Sequence, residues 1–287
     1  MRQPIEKVIN RSGHPRVIPG FAPAMGVTIT MLSLLVLIPI ASLVMSAAGL
    51  GGKEFLSVIT QPQIMAGYRV SIICAVIAAL INGVFGLILA WILVRYEFPG
   101  KGFLDGIIEL PLALPTAVAG ISLTSLYSDQ GWIGKFFAGF GIKIAYTQIG
   151  ITIAMVFVGI PFVVRAIQPV LANIDGEYEE AASLFGATPR QIFFKVIFPE
   201  ILPAMLAGFG LALARALGEY GSVVFIAGNI PFKTQIAPLL IMTKLEQYKY
   251  SDATAIALVL LVISFILMFL INGVQLRLAS ITKGKKS

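Results

Sequence analysis

The run VSIICAVIAALINGVFGLILAWILV, Val70 to Val94, carries no charged side chain. A helix needs about 20 apolar residues to cross the hydrocarbon core of a bilayer, so this run is long enough. Lipid offers the backbone no hydrogen-bond partners, and a helix satisfies its own N–H and C=O groups. A membrane β-strand would be shorter and would alternate in polarity. Outward from this run, four more uncharged stretches of similar character appear: Phe21 to Gly52, Leu110 to Ser128, Ile144 to Val164 and Ala253 to Leu276. A further stretch, Ile201 to Pro231, is apolar apart from Arg215 and Glu219. The expected fold is all-α, a polytopic membrane protein with six transmembrane helices.

Composition agrees. Of 287 residues, 57% are hydrophobic and 12% charged. Soluble domains carry about 25% charged residues, so much of this surface faces something other than water. The net charge of +7 does not indicate nucleic-acid binding, because the basic residues sit in short segments between apolar runs. Cys74 is the single cysteine and His14 the single histidine. An intrachain disulfide is therefore excluded, and neither a His-based metal site nor a His-based catalytic dyad is expected within this chain. The first apolar run begins after a polar leader and is too long for a cleavable signal, so it reads as a retained first helix.

Loop charges give the orientation. With the N-terminus in the cytoplasm, inside segments hold Arg2, Lys7, Arg11, Arg16, Arg95, Lys101, Arg165, Arg190, Lys195, Arg277, Lys283, Lys285 and Lys286. Outside segments hold Lys53, Lys135, Lys143, Lys233, Lys244 and Lys249. Thirteen against six places both termini inside. Trp91 and Tyr96 read as interfacial anchors at the inner end of the second span, and Tyr68 as one outside.

The segment between the fourth and fifth spans, residues 173–199, reads as a helix-turn-helix on the cytoplasmic face. Glu177, Glu179 and Glu180 lead into a first helix, as its N-terminal dipole favours. Gly186 ends it. Thr188 then caps a second helix with Pro189 in its first turn. From these residues alone, an inert amphipathic connector and a docking element are both open.

The spacing within this loop carries a resemblance. Glu180-Ala181-Ala182, then Gly186 after three residues, then Val196-x-Phe198-Pro199 after nine more, resembles the signature loop of the ABC-importer permeases. Val196 and Phe198 stand where that family has Ile and Leu. The resemblance implies a type I ABC-importer permease fold. It also implies that the first short helix docks into a groove on a separate ATP-binding subunit, with Glu180, Ala181, Ala182, Gly186 and Pro199 as ATPase-coupling residues. The chain has no Gly-x4-Gly-Lys-[Ser/Thr] loop of its own. No cofactor is expected in this chain, and ATP-Mg is expected in partner subunits. The chain is expected to be a transporter subunit and not an enzyme.

Four more stretches narrow the resemblance: Leu110 to Gly120, Ala214 to Ser222, Phe225 to Asn229 and Leu245 to Tyr248. They resemble the T-type permease subunit of sulfate/thiosulfate importers, from about Pro19 onward. That implies a related W-type permease as heterodimer partner, two ATP-binding subunits, and a periplasmic sulfate-binding protein. It implies a bacterial inner membrane, or a plastid inner membrane. The expected organisation is a leader 1–20, a first helix and outer loop 21–65, a permease domain 66–276 containing the coupling loop, and a basic tail 277–287. A molybdate/tungstate permease of the same superfamily is the alternative. An ion-coupled secondary transporter is the alternative from another class, and the absence of a clear internal repeat weighs against it.

Arg215 and Glu219 are four residues apart, one helical turn. Charges at membrane depth are costly and usually face a bundle interior or a wet cavity. Two readings stand: Arg215, Glu219 and Ser222 line a translocation path for the dianion, or the pair locks the fifth helix to a neighbour. Pro111, Pro115 and Pro161 can bend their helices. Gly83, Gly86, Gly208, Gly210, Gly218 and Gly221 are expected at close helix contacts.

Overall fold

The computed structural model describes residues 21–284, without the side chains of Ala22 and of 279–284. The leader 1–20 and the basic side chains beyond Arg277 lie outside the described residues. The chain falls into two units, Met1–Ser46 and Ala47–Ser287.

In the first unit, α1 (Phe21–Leu32) passes through a π-helical turn, Ser33–Leu37, into α2 (Ile38–Ala48). Pro39 accounts for the wide turn. It has no N–H, and in a regular helix its ring would strike the carbonyl four residues back. Ile38 N–H instead reaches Ser33 O, five residues back, which opens the turn and relieves the clash.

The second unit runs α3 (Gly52–Ile59), α4 (Pro62–Arg95), α5 (Lys101–Ala113), α6 (Thr116–Tyr127), α7 (Trp132–Ala138), α8 (Gln148–Ala172), α9 (Gly176–Leu184) and α10 (Pro189–Ile192). A second π turn, Phe193–Ile197, leads into α11 (Phe198–Leu217), followed by α12 (Val223–Ile226), α13 (Ala237–Glu246) and α14 (Tyr250–Gly284). Five helical segments of the described chain are long and apolar enough to cross a membrane, or six if α5 and α6 count as one bent span.

Helices α4, α8 and α11 form the centre, with α14 packed on α11. Within a bilayer, lipid is as apolar as leucine, so close van der Waals packing holds helices together. Small residues permit it here. A Cβ on Gly86 would come within 2.7 Å of Val163, and one on Gly208 within 2.8 Å of the Val163 Cα. Gly159 of α8 faces the buried amide of Asn82 on α4 at 2.3 Å from the same construction. Gly83 and Gly218 are not close-contact positions, since nothing lies nearer than 4.0 and 3.9 Å.

Four spans differ from their expected bounds, the second, expected over Val70–Val94, by starting at Pro62. The third, expected over Leu110–Ser128, is two helices, α5 and α6, bent by 113°. Leu114 precedes a proline, and the Pro115 ring pushes it out of the α region to φ −80°, ψ 138°. Pro111 stays inside α5 and is buried. The fourth, expected over Ile144–Val164, starts where the Thr147 hydroxyl caps Ile149 N–H at 3.2 Å and runs on to Ala172. The fifth, expected over Ile201–Pro231, runs from Pro189 to Leu217 and stops at Gly218. The apolar residues beyond it form a turn and α12. Hence α10 is no separate interfacial helix, but the first turn of the fifth span.

Candidate functional site

The loop between α8 and α11 is built from local capping. Asp175 Oδ1 accepts from Glu177 N–H at 3.2 Å and starts α9. The three glutamates were expected to lead the helix in; Asp175 is the residue that caps it. At the other end Gly186 takes φ +81°, a conformation that costs other residues steric strain. Gly186 N–H reaches Ser183 O at 2.9 Å, and Ala187 N–H reaches Ala182 O at 3.1 Å. That pair of bonds is the Schellman closure of a helix end. Thr188 and Gln191 then form a capping box: Thr188 N–H donates to Gln191 Oε1 at 2.8 Å, and Gln191 N–H donates to the Thr188 hydroxyl. Gly186 as terminator and Thr188 as cap are both observed.

What this turn displays is apolar. Leu184 is 89% and Phe185 93% exposed, with Tyr178 also exposed. Beside them lies a cleft lined by Ala182, Phe185, Gly186, Gln191, Ile192 and Lys195. Two large apolar side chains thus point outward beside a cleft of mixed polarity.

The expected coupling residues do not all gather there. Glu180, Ala181, Ala182 and Gly186 lie together on α9 and its terminating turn. Pro199 lies past the π turn, in the first turn of α11. Its role is covalent geometry: Phe198 N–H reaches Phe193 O, repeating the arrangement before Pro39. Glu180 is exposed. The carboxylate that anchors α9 to the body is its neighbour Glu179, ion-paired with Arg95 at the end of α4.

Arg215, Glu219 and Ser222 come together at the opposite end of α11. From Pro199 to Arg215 is roughly 24 Å of helix at 1.5 Å per residue. The pair is not one turn of continuous helix as expected, because α11 ends at Leu217. The chain folds back so that Glu219 Oε1 accepts from Ser222 N–H at 2.9 Å and from the Ser222 hydroxyl at 2.8 Å. Glu219 Oε2 pairs with Arg215. Glu219 is 1% exposed, whereas the Arg215 side chain is 34% exposed. The turn is closed by α6: a Cβ on Gly120 would lie 2.5 Å from Ser222 O, and one on Gly221 2.0 Å from the Thr116 hydroxyl.

A second charged cluster was not anticipated. Arg165 of α8 donates to Asp105 at 2.9 Å and to Gln168 at 2.6 Å, and pairs with Glu109. Asp105 and Glu109 are one turn apart on α5, which ties the first half of the bent span to α8.

Comparisons with known proteins follow the same lines. Residues 82–280 match the family described as "Binding-protein-dependent transport system inner membrane component". The chain is 48% identical over 262 residues to the sulfate transport system permease protein CysT of Salmonella typhimurium, covering 91% of this chain and 95% of that one. It is 51% identical over 249 residues to the CysT protein of Synechocystis, covering 87% of each. Among solved structures, a bacterial ABC transporter involved in the import of the acidic polysaccharide alginate superposes with a TM-score of 0.75 at 15% identity, over 90% of this chain and 95% of that one. The MetNI methionine ABC transporter in an inward-facing form superposes with a TM-score of 0.51 at 20% identity, over 74% and 92%. The expected all-α importer permease fold is the observed one.

Proposed function

The chain belongs to the binding-protein-dependent transport system inner membrane component family, and from that premise we propose that it passes sulfate and thiosulfate through an inner membrane as the permease subunit of an ATP-driven importer. The observation that carries the sulfate assignment is near-half identity, over nine tenths of the chain, to sulfate permeases. The chain lacks a phosphate-cradling loop, so ATP-Mg is bound and hydrolysed by two partner subunits. Those subunits dock on α9 at Glu180, Ala181, Ala182 and Gly186, with Leu184 and Phe185 filling the partner groove. The exposure of Leu184 and Phe185 supports this reading. A related W-type permease completes the path, and a periplasmic sulfate-binding protein delivers the anion. Both termini are cytoplasmic, as the loop charges favour.

In this scheme ATP binding draws the two permeases' coupling loops together and opens the path outward. Hydrolysis resets it toward the cytoplasm. Arg215 offers the dianion one partly exposed guanidinium, while Glu219 offsets that charge and keeps the hold weak enough for release. Pro199 and the π turn set how α9 is aimed relative to α11.

The test is uptake of radiolabelled sulfate in cells lacking this chain and every other sulfate uptake system, with and without the chain restored. Restored sulfate uptake is expected. Restored molybdate uptake without sulfate uptake would overturn the assignment.

A further inference from the structure

Arg95 is the last residue of α4, and Trp91 lies one turn before it. Both face the α9 loop, and each holds a different arm of it. Arg95 pairs with Glu179 of α9, both side chains about a quarter exposed, at 25% and 27%. The same guanidinium sits 5.4 Å from the Trp91 ring centroid, within cation–π range. Trp91 meets Phe193, the first residue of the π turn, edge to face at 5.3 Å and 72°. One turn of α4 therefore grips α9 by charge and the root of α11 by an aromatic edge.

This grip has a specific mechanical consequence. The α9 loop is joined by backbone to α8 and to α11, but to α4 only through side chains. Among the described residues, Glu179–Arg95 is the one ion pair that α9 makes. Helix α4 then runs from Arg95 to Pro62, at the opposite end of the bundle, packed along its length against α8 and α11. We infer that Arg95, held by Trp91, is a positioning residue that carries displacement of the coupling helix into α4 through Glu179. This inference rests on α9 being the docking element for ATP-binding subunits. Loss of the pair frees α9 to shift without α4, so hydrolysis continues while transport falls.

The experiment uses the whole transporter in proteoliposomes. It reads sulfate moved per ATP hydrolysed and the ATP-binding subunits retained on purification, for E179Q, R95E, E179R and R95E/E179R. The inference expects each single variant to retain those subunits and to lower the transport-to-hydrolysis ratio by about tenfold, within the range of coupling energies between sites. The double swap, which restores an ion pair, recovers most of the ratio. A merely structural role would lower transport and hydrolysis together in the single variants and leave their ratio unchanged. Single variants at the wild-type ratio, or a double swap no better than the singles, would overturn the inference. Failure of the docking reading is seen separately: an L184D/F185D chain that still retains the ATP-binding subunits would sink docking.

Discussion

Ser222 gives both its backbone N–H and its hydroxyl to one oxygen of Glu219, at 2.9 and 2.8 Å. The buried carboxylate is thus oriented by the turn it belongs to, and Arg215 meets only its other oxygen. S222A removes one bond to a buried ionised group. It should lower stability by about 1.5–3 kcal/mol, the range for hydrogen bonds to charged groups. Thermal unfolding in detergent measures this, and an unchanged midpoint would count against the geometry.

The same geometry separates the two roles open to Arg215. R215M alone leaves a buried carboxylate without its counter-charge, which is destabilising. R215M/E219Q removes both charges. Its folded yield should recover toward wild type; if Arg215 serves the path, sulfate uptake stays low, because the guanidinium offered to the dianion is gone. Full recovery of both in transport assays would make the pair a structural lock.

Helix α6 rests on that turn through glycine. G120A would place a methyl against the Ser222 backbone. It should cost about 1–3 kcal/mol, as overpacking does, because backbone atoms cannot rotate away. G106A in α5 is the control, with nothing within 4 Å of the added Cβ. It should be neutral or stabilising, since alanine favours helix over glycine by about 1 kcal/mol. Comparing their unfolding midpoints checks the close approach; equal midpoints would contradict it.

Pro199 should show stability and function moving apart. P199A restores an N–H that can reach the carbonyl of Lys195, so the π turn can close to a regular helix. Losing one residue from the turn rotates α10 and its attached loop by roughly 100° relative to α11. The thermal midpoint should hold or rise, and uptake should fall. Wild-type uptake with an unchanged midpoint would show that the π turn does not aim the loop.

Local chemistry makes much of this fold legible in the sequence. The charge-free runs marked the spans, and Thr188, Pro189 and Gly186 placed the turn of the α9 loop, because caps depend on neighbours in sequence. The bend at Leu114–Pro115 was signalled by a proline, yet the same residue type at Pro111 left its helix intact. What decides between them is packing, which composition does not encode. The end of α11 is hidden in the sequence because residues 218–231 are largely apolar: Val223, Ile226 and Ala227 are buried in protein, in a turn and α12, and in composition that looks like burial in lipid. The ion pairs Arg95–Glu179 and Arg165–Asp105 join residues 84 and 60 positions apart. No local spacing announces them. Glu180 belongs to the motif, while Glu179, one residue earlier, makes the contact within this chain.

If ATP-binding subunits dock on α9, force enters the chain there. The most direct test of that docking replaces the two outward apolar side chains. An L184D/F185D chain, confirmed in the membrane, is assayed for sulfate uptake and for retention of ATP-binding subunits. Loss of both is expected, with thermal stability little changed because neither side chain is buried. Uptake at the wild-type rate with those subunits still bound would contradict docking on α9.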